Sequence, residues 1–315
     1  MKILVTGAAG FIGFHLIKYL LKSGHVVTGI DNCKTGTSSR LMQIRLSKLQ
    51  HENFTFYKLD INNLNQLQES FDLIINLAAQ TGVRHQPNQI KNYLDSNING
   101  FISICDFCEE RKIKNVIYAS SSSVYSDCEL KPFKEDHSKT LPKSLYGLTK
   151  LFNEKYAKKV HHQADISFIG LRFFSVYGPY GRPDMAYFSF TNAIKKQKTI
   201  RLHNKGKMLR DMTYIDDIVQ GLYKAINYIT SATLPVYELF NLGCNDPVLT
   251  EDLLKKISKE LKLEPKVEII EVENESNFTH ADLTKSRSKL GYNPSMSFDF
   301  GIEKFLEWHR NYEKS

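Results

Sequence analysis

The sequence predicts an α/β fold: a doubly wound parallel sheet with a second, smaller mixed α/β lobe. Three observations predict it. Short apolar runs alternate with helix-length amphipathic stretches through the first half of the 315-residue chain. The runs are continuously apolar rather than alternating, which marks strands covered on both faces and hence parallel. A glycine-rich segment, Thr6-Gly-Ala-Ala-Gly-Phe-Ile-Gly13, joins the first run to the first helical stretch.

Taken in order, residues 2–6, 26–31, 54–60, 73–79, 115–120 and 166–174 read as strands, and 12–22, 40–49, 64–70, 98–112 and 144–161 as the helices between them. Six strands joined in this order by five helices describe a Rossmann sheet. After Tyr177 the pattern turns irregular, with Gly178-Pro179, Gly181 and Pro183 marking loops. Later helical stretches at 250–261 and 300–312 complete a smaller lobe, while 214–228 and 237–242 can return to the sheet. The expected division is a sheet domain over 1–174 with returning segments near 212–243, and a substrate lobe over 175–211 and 244–315.

Composition narrows the class. An apolar fraction of 42% with 24% charged residues fits a soluble globular chain. The first twenty residues mimic a secretion signal, but they carry three glycines, His15 and Lys18 and end without a small-residue cleavage pattern. No later stretch reaches the ~18 uninterrupted apolar residues of a membrane span. A cytoplasmic protein with no membrane partner is expected. Five cysteines, an odd number, argue against a disulfide framework. Cys105-Asp-Phe-Cys108 has redox or metal spacing but no second Cys/His pair nearby, so buried packing thiols and no metal are expected. The net charge of +8 comes from scattered lysines without a basic stripe or interleaved aromatics, which excludes a nucleic-acid groove. It suits steering of an anionic nucleotide instead.

The glycine segment follows a strand and opens a helix, the context that gives such a motif weight. Gly7 permits the tight turn, Gly10 lets backbone approach a pyrophosphate, and Gly13 packs helix on strand. The helix N-terminus at Phe11 and Ile12 then offers free N–H groups to the phosphates. A glycine-rich turn without ligand is the alternative. Asp31, followed by Asn32, ends the second strand and suits the adenosine ribose hydroxyls; an acid there repels a 2′-phosphate, so NAD is preferred over NADP. Asp60-Ile61 ends the third strand near the expected adenine position.

Tyr146-Gly-Leu-Thr-Lys150 places a phenol and an ammonium on one helix face. An adjacent cation favours the phenolate, which would make Tyr146 an acid/base group for a hydroxyl near neutral pH. Taken alone, the pair is compatible with an ordinary amphipathic helix. Ser120, Ser121, Ser122 and Ser123 follow a strand at the carboxyl edge where α/β sheets bind ligands.

These residues carry a resemblance. Gly7–Gly13, Asp31, Asp60-Ile61, Leu77-Ala78-Ala79, Asn97, Ser120–Tyr125 and Tyr146–Lys150 together resemble the extended short-chain dehydrogenases/reductases. Leu171–Pro179, Gly181–Ala186 and Arg210–Asp217 are similar to nucleotide-sugar 4-epimerases, most of all the UDP-glucuronate 4-epimerases. The resemblance spans nearly the whole chain. It implies that Tyr146 is the base, that Lys150 tunes it and holds the nicotinamide ribose, and that Ser121 binds the sugar 4-hydroxyl. It adds Leu77, Ala78, Ala79 and Asn97 to the cofactor set. The implied reaction removes the 4-OH proton while the C4 hydride passes to tightly bound NAD, then returns the hydride to the opposite face of the 4-keto sugar. Related dehydratases carry Asp-Glu after the catalytic Thr, and decarboxylases a Glu before the Val-Tyr. Ser122 and Ser123 stand there instead, which favours epimerisation.

The resemblance also implies substrate contacts. Arg210 falls where the family binds the diphosphate. Arg84 and Arg182 are candidates for a sugar carboxylate or a phosphate, Ser175 and Ser121–Ser123 for the sugar, His203 for uracil and Glu275 for the uridine ribose. Three positions depart from the pattern: Ser189 replaces a basic residue, and in the uridine segment Val272 replaces a polar residue and Glu275 an Asp. A 4-epimerase of a UDP-N-acetylhexosamine or its uronic acid, a decarboxylase or dehydrogenase, and an NAD-sensing binding protein are the alternatives. The helix of Tyr146 and the helix beginning near Asn97 would form the four-helix interface of a homodimer.

Overall fold

A computed structural model describes residues 1–34, 39–82, 89–125, 128, 130–137, 142–271 and 278–314. The first half alternates strand and helix: β1 (Lys2–Thr6), α1 (Phe11–Lys22), β2 (Val26–Ile30), α2 (Ser39–Ser47), β3 (Phe54–Tyr57), a 3-10 helix (Ile61–Gln66) and β4 (Leu73–Asn76). There follow α3 (Ile90–Tyr93), a π-helical segment (Leu94–Asn99), α4 (Gly100–Arg111), β5 (Asn115–Ser121), α5 (Leu145–Ala164) and β6 (Ser167–Phe173). The second half runs β7 (Ser175–Tyr177), α6 (Ala186–Lys195), β8 (Ile200–His203), β9 (Leu209–Tyr214), α7 (Ile215–Ser231) and β10 (Tyr237–Leu242). It closes with β11 (Pro247–Leu249), α8 (Thr250–Leu261), β12 (Val267–Ile270) and α9 (Phe298–Lys314).

Seven strands form one sheet in the order β10-β6-β5-β4-β1-β2-β3, all parallel. This is the doubly wound sheet the sequence predicts, with β10 as a seventh strand beside β6. Every residue of β6 is buried, and so is all of β4, as strands covered on both faces require. The winding reverses between β1 and β4, which opens a crevice at their carboxyl ends. The smaller lobe holds a mixed sheet, β11-β9-β7, and a parallel pair, β12 and β8.

One expected helix is absent. Residues 64–70 were expected to be helical, but Asp60 instead caps the 3-10 helix Ile61–Gln66, accepting from the Asn62 amide. That turn buries Ile61 and Leu64, and Leu67 then leaves in extended conformation. The apolar spacing that suggested an α-helix is thus satisfied by one tight turn. The expected helix at 98–112 begins earlier, because α3, the π segment and α4 follow one another without a break from Ile90 to Arg111.

Cys105 and Cys108 are fully buried, and burial pushes both thiols up, away from the reactive thiolate. Among the described residues, no helix is long and apolar enough to cross a membrane.

Candidate active site

Helix α5 brings the chemistry to the crevice because it is fastened to the sheet along one face. Ser144 caps it, its Oγ accepting from the Gly147 amide at 3.0 Å. Lys150 Nζ donates to the Ala119 carbonyl on β5 at 2.8 Å. One turn on, Glu154 accepts from Ser120 Oγ at 2.6 Å and from Arg172 of β6 at 2.8 and 2.7 Å. Arg172 is fully buried and also donates to the Glu135 carbonyl. Gly147 allows the close approach: a Cβ there would meet the Ser123 carbonyl at 2.6 Å. Tyr146 is therefore held against the serine turn that follows β5.

Within that turn the serines divide by function. Ser120 faces the core and serves the Glu154–Arg172 pair. Ser121 lies on the cavity side, its Oγ donating to Ser123 Oγ and accepting from Ser123 N, both at 3.1 Å. Burial pushes the half-buried Tyr146 phenol above its ordinary value, opposed by the Arg182 guanidinium and a hydrogen bond with Ser121. Burial alone pushes Lys150 down to about 8. The Lys150 ammonium is 5.8 Å from the Tyr146 ring centre and donates to the Ala119 carbonyl, and the Arg182 guanidinium also favours the phenolate.

A cavity of about 1560 Å³ runs from this site along the carboxyl ends of the strands. That exceeds the ~300–1,000 Å³ of a single small-ligand pocket and suits two ligands end to end. One end is walled by Gly7, Gly10, Phe11, Ile12, Gly13, Asp31, Asn32, Ile61, Leu77, Ala78 and Ala79. Gly7 adopts φ +69°, where a Cβ would meet the Ala78 amide at 2.8 Å, so only glycine closes this turn without strain. Asp31 accepts from the Ala9 and Cys33 amides at 3.1 and 2.8 Å, and burial pushes its carboxyl up.

Two expected cofactor residues act from behind the wall. Asp60 caps the 3-10 helix and accepts from Asn32 Nδ2 at 2.8 Å. Asn97 commits its amide to Gln80 N and O and to Thr149 Oγ1, at 2.8–3.0 Å, fixing the chain between the lining residues Ala79 and Thr81.

The other end of the cavity is lined by Ser175, Arg182, Ser189, His203 and Arg210, with Ser122 and Ser123 at the junction. Arg182 pairs with Asp184 through Nε at 3.1 Å and Nη2 at 2.5 Å. Arg210 sits on β9, steadied by the Leu209 carbonyl and Met208 Sδ. Beside it the buried Asp211 carboxylate gathers the amides of Cys244, Asn245 and Ala281 and the Thr213 hydroxyl, which fixes that wall. Arg84, Val272 and Glu275 lie outside the described residues.

Several contributors escaped the sequence reading, Glu154 and Arg172 among them. Asp184 and Asp211 stood inside motifs read for Arg182 and Arg210. Arg45 is a fully buried arginine on α2, where arginine is ordinarily a surface residue.

The chain is 38% identical to protein CapI of Staphylococcus aureus over 100% of both chains. It is 37% identical to UDP-glucuronate 4-epimerase 4 of Arabidopsis thaliana, over 99% of this chain and 76% of that one. A solved structure, UDP-glucuronic acid 4-epimerase from Bacillus cereus in complex with UDP-glucuronic acid and NAD, matches with a TM-score of 0.91 and 32% identity, covering 99% of this chain and 100% of that one. Residues 3–243 match the model of the NAD dependent epimerase/dehydratase family, and to that family the chain belongs.

Proposed function

We propose that this protein is a nucleotide-sugar 4-epimerase that interconverts UDP-glucuronate and UDP-galacturonate. The observation that carries the proposal is the junction of the cavity. There Tyr146, Ser121 and Lys150 line the cavity between the glycine-turn wall and a chamber lined by Arg182 and Arg210, and the hydroxyls beside Ser121 are Ser122 and Ser123 rather than carboxylates. The glycine turn, whose Gly7 leaves no room for a Cβ, and the Asp31 carboxyl fit NAD. When bound, NAD supplies the reversible hydride acceptor for oxidation at C4.

The chain's own residues supply the rest. Tyr146 Oη takes the proton of the sugar 4-hydroxyl and later returns it. Ser121 Oγ holds that oxygen against the phenol. Arg182 lowers the cost of the phenolate, and Lys150, still largely charged at pH 7, would hold the nicotinamide ribose when NAD is bound. Without a carboxylate at Ser122 or Ser123, no group at those positions takes a proton from C5, so elimination is not promoted. Arg182 and Ser175 would receive the sugar carboxylate, and Arg210 the diphosphate, where a guanidinium offers paired donors. Relatives that share about a third of the sequence are UDP-glucuronate 4-epimerases, which supports the choice of sugar.

A panel of UDP-glucuronate, UDP-N-acetylglucosamine, UDP-glucose and one CDP- and one GDP-sugar tests the reading by thermal stabilisation, then turnover. UDP-glucuronate is expected to stabilise most and to be converted fastest. Preferential turnover of the N-acetylated sugar, or stronger stabilisation by a CDP- or GDP-sugar, would reject the assigned substrate.

A further inference from the structure

The fully buried Arg45 is not absorbed by this mechanism, although it joins both halves of the cleft. Its Nη1 donates to the Ala9 carbonyl, inside the glycine turn, at 2.9 Å. Its Nε and Nη2 donate to the Tyr180 carbonyl at 3.0 and 2.5 Å, and Nη2 also reaches the Gly181 carbonyl at 3.3 Å. All of these acceptors are main-chain carbonyls. Burying a guanidinium without a hydrogen-bonded carboxylate is costly, and here burial pulls it down to about 10. The cost is met at two places that the reaction must keep in register.

Ala9 is gripped from both sides, since its amide donates to Asp31 while its carbonyl accepts from Arg45. At the other end, Tyr180 sits in the left-handed region at φ +61°, uncommon for a non-glycine residue, and turns its carbonyl onto the guanidinium. The next residues are Gly181 and Arg182, whose guanidinium lines the same cavity as Tyr146. His15 of α1 adds a second tie to this turn, its Nε2 donating to the Pro179 carbonyl at 2.9 Å. A flat guanidinium can serve both ends at once, whereas a lysine ammonium is a single point charge.

We propose that Arg45 is a positioning residue that locks the cofactor-binding glycine turn to the 179–182 turn carrying Arg182, so that filling the cofactor site orders the sugar chamber. The inference deepens the functional reading above and rests on it only for the choice of sugar. By linkage, cofactor and nucleotide-sugar affinities then raise one another, and Arg45 carries the coupling.

The test uses the full chain as Arg45→Lys and Arg45→Met, beside wild type. NAD affinity is measured with and without saturating UDP, and kcat and KM with UDP-glucuronate at saturating NAD. Trp308, the chain's one tryptophan, lies 4.9 Å from the Tyr180 ring and reports the turn by fluorescence. In wild type, UDP should tighten NAD binding several-fold. In Arg45→Lys that factor should fall toward one, with kcat reduced at least ten-fold and KM changed far less. Weaker NAD binding with normal kcat would overturn the proposal, as would a lowered Tm with the coupling intact. Should the variants fail to fold, hydrogen exchange of the Tyr180, Gly181 and Arg182 amides in wild type decides: NAD must slow it, and unchanged exchange refutes the lock. The coupling with UDP holds or fails whichever sugar is the substrate, so failure of the epimerase reading stays separate.

Discussion

Lys150 shows how the site departs from what stability alone would select. Lys150 is only 3% exposed, and among the described residues its ammonium donates to a neutral partner, the Ala119 carbonyl. Burial lowers its folded pKa from the ordinary 10.5 to about 8. Between those values the unfolded chain binds a proton that the folded chain does not, so stability rises with pH across that window. Below about 8 the penalty is present in full, about 3 kcal/mol at 1.36 kcal/mol per pKa unit. Lys150→Met should therefore raise the Tm of the cofactor-free protein at pH 7 and abolish turnover. Its advantage over wild type should shrink as pH rises from about 8 toward 10.5. Thermal melts across that range check this, and a variant less stable than wild type at pH 7 would contradict it.

At the scale of elements, α5 is held by a buried polar seam rather than by apolar packing alone. The Glu154–Arg172 pair, with Ser120 and the stack of Arg172 on Tyr125 at 4.7 Å, fixes the axial position of Tyr146. Glu154→Ala leaves the guanidinium buried without its carboxylate, which should cost about 3–5 kcal/mol in urea denaturation. It should lower kcat more than it changes KM. The double change Glu154→Leu with Arg172→Met should recover most of the stability without restoring kcat. A loss under about 1 kcal/mol from the single change would show the seam to be incidental.

This seam also marks what the sequence could disclose. Apolar continuity located the strands, because β4 and β6 are buried on both faces. The glycine turn and Tyr146–Lys150 were legible because their spacing is local. Glu154, Arg172 and Arg45 were not, since a charged residue in a helix or strand reads as a surface residue until its distant partner is known. The same limit holds at Tyr146: spacing named Lys150 as its neighbour, while Arg182, which also favours the phenolate, comes from another turn. The misplaced helix at 64–70 has a local cause, the Asp60 cap that closes a 3-10 turn.

Across the whole molecule, the reversal between β1 and β4 makes the crevice, and the smaller lobe closes its far end with β7, β8 and β9. The large sheet brings the glycine turn, Asp31, Ser121 and Tyr146; the small lobe brings Arg182 and Arg210. Scattered positive charge, +8 overall, suits a cleft whose proposed ligands are both anionic. The proposed epimerisation requires that the C4 hydrogen leave the sugar and return to it without net oxidation. Incubation with UDP-glucuronate in D₂O, followed by ¹H NMR and absorbance at 340 nm, measures this directly. The expected outcome is UDP-galacturonate that keeps its C4 hydrogen as protium, no accumulated NADH, no CO₂, and no product from Tyr146→Phe. A decarboxylated pentose, steady NADH formation or deuterium at C4 would contradict it.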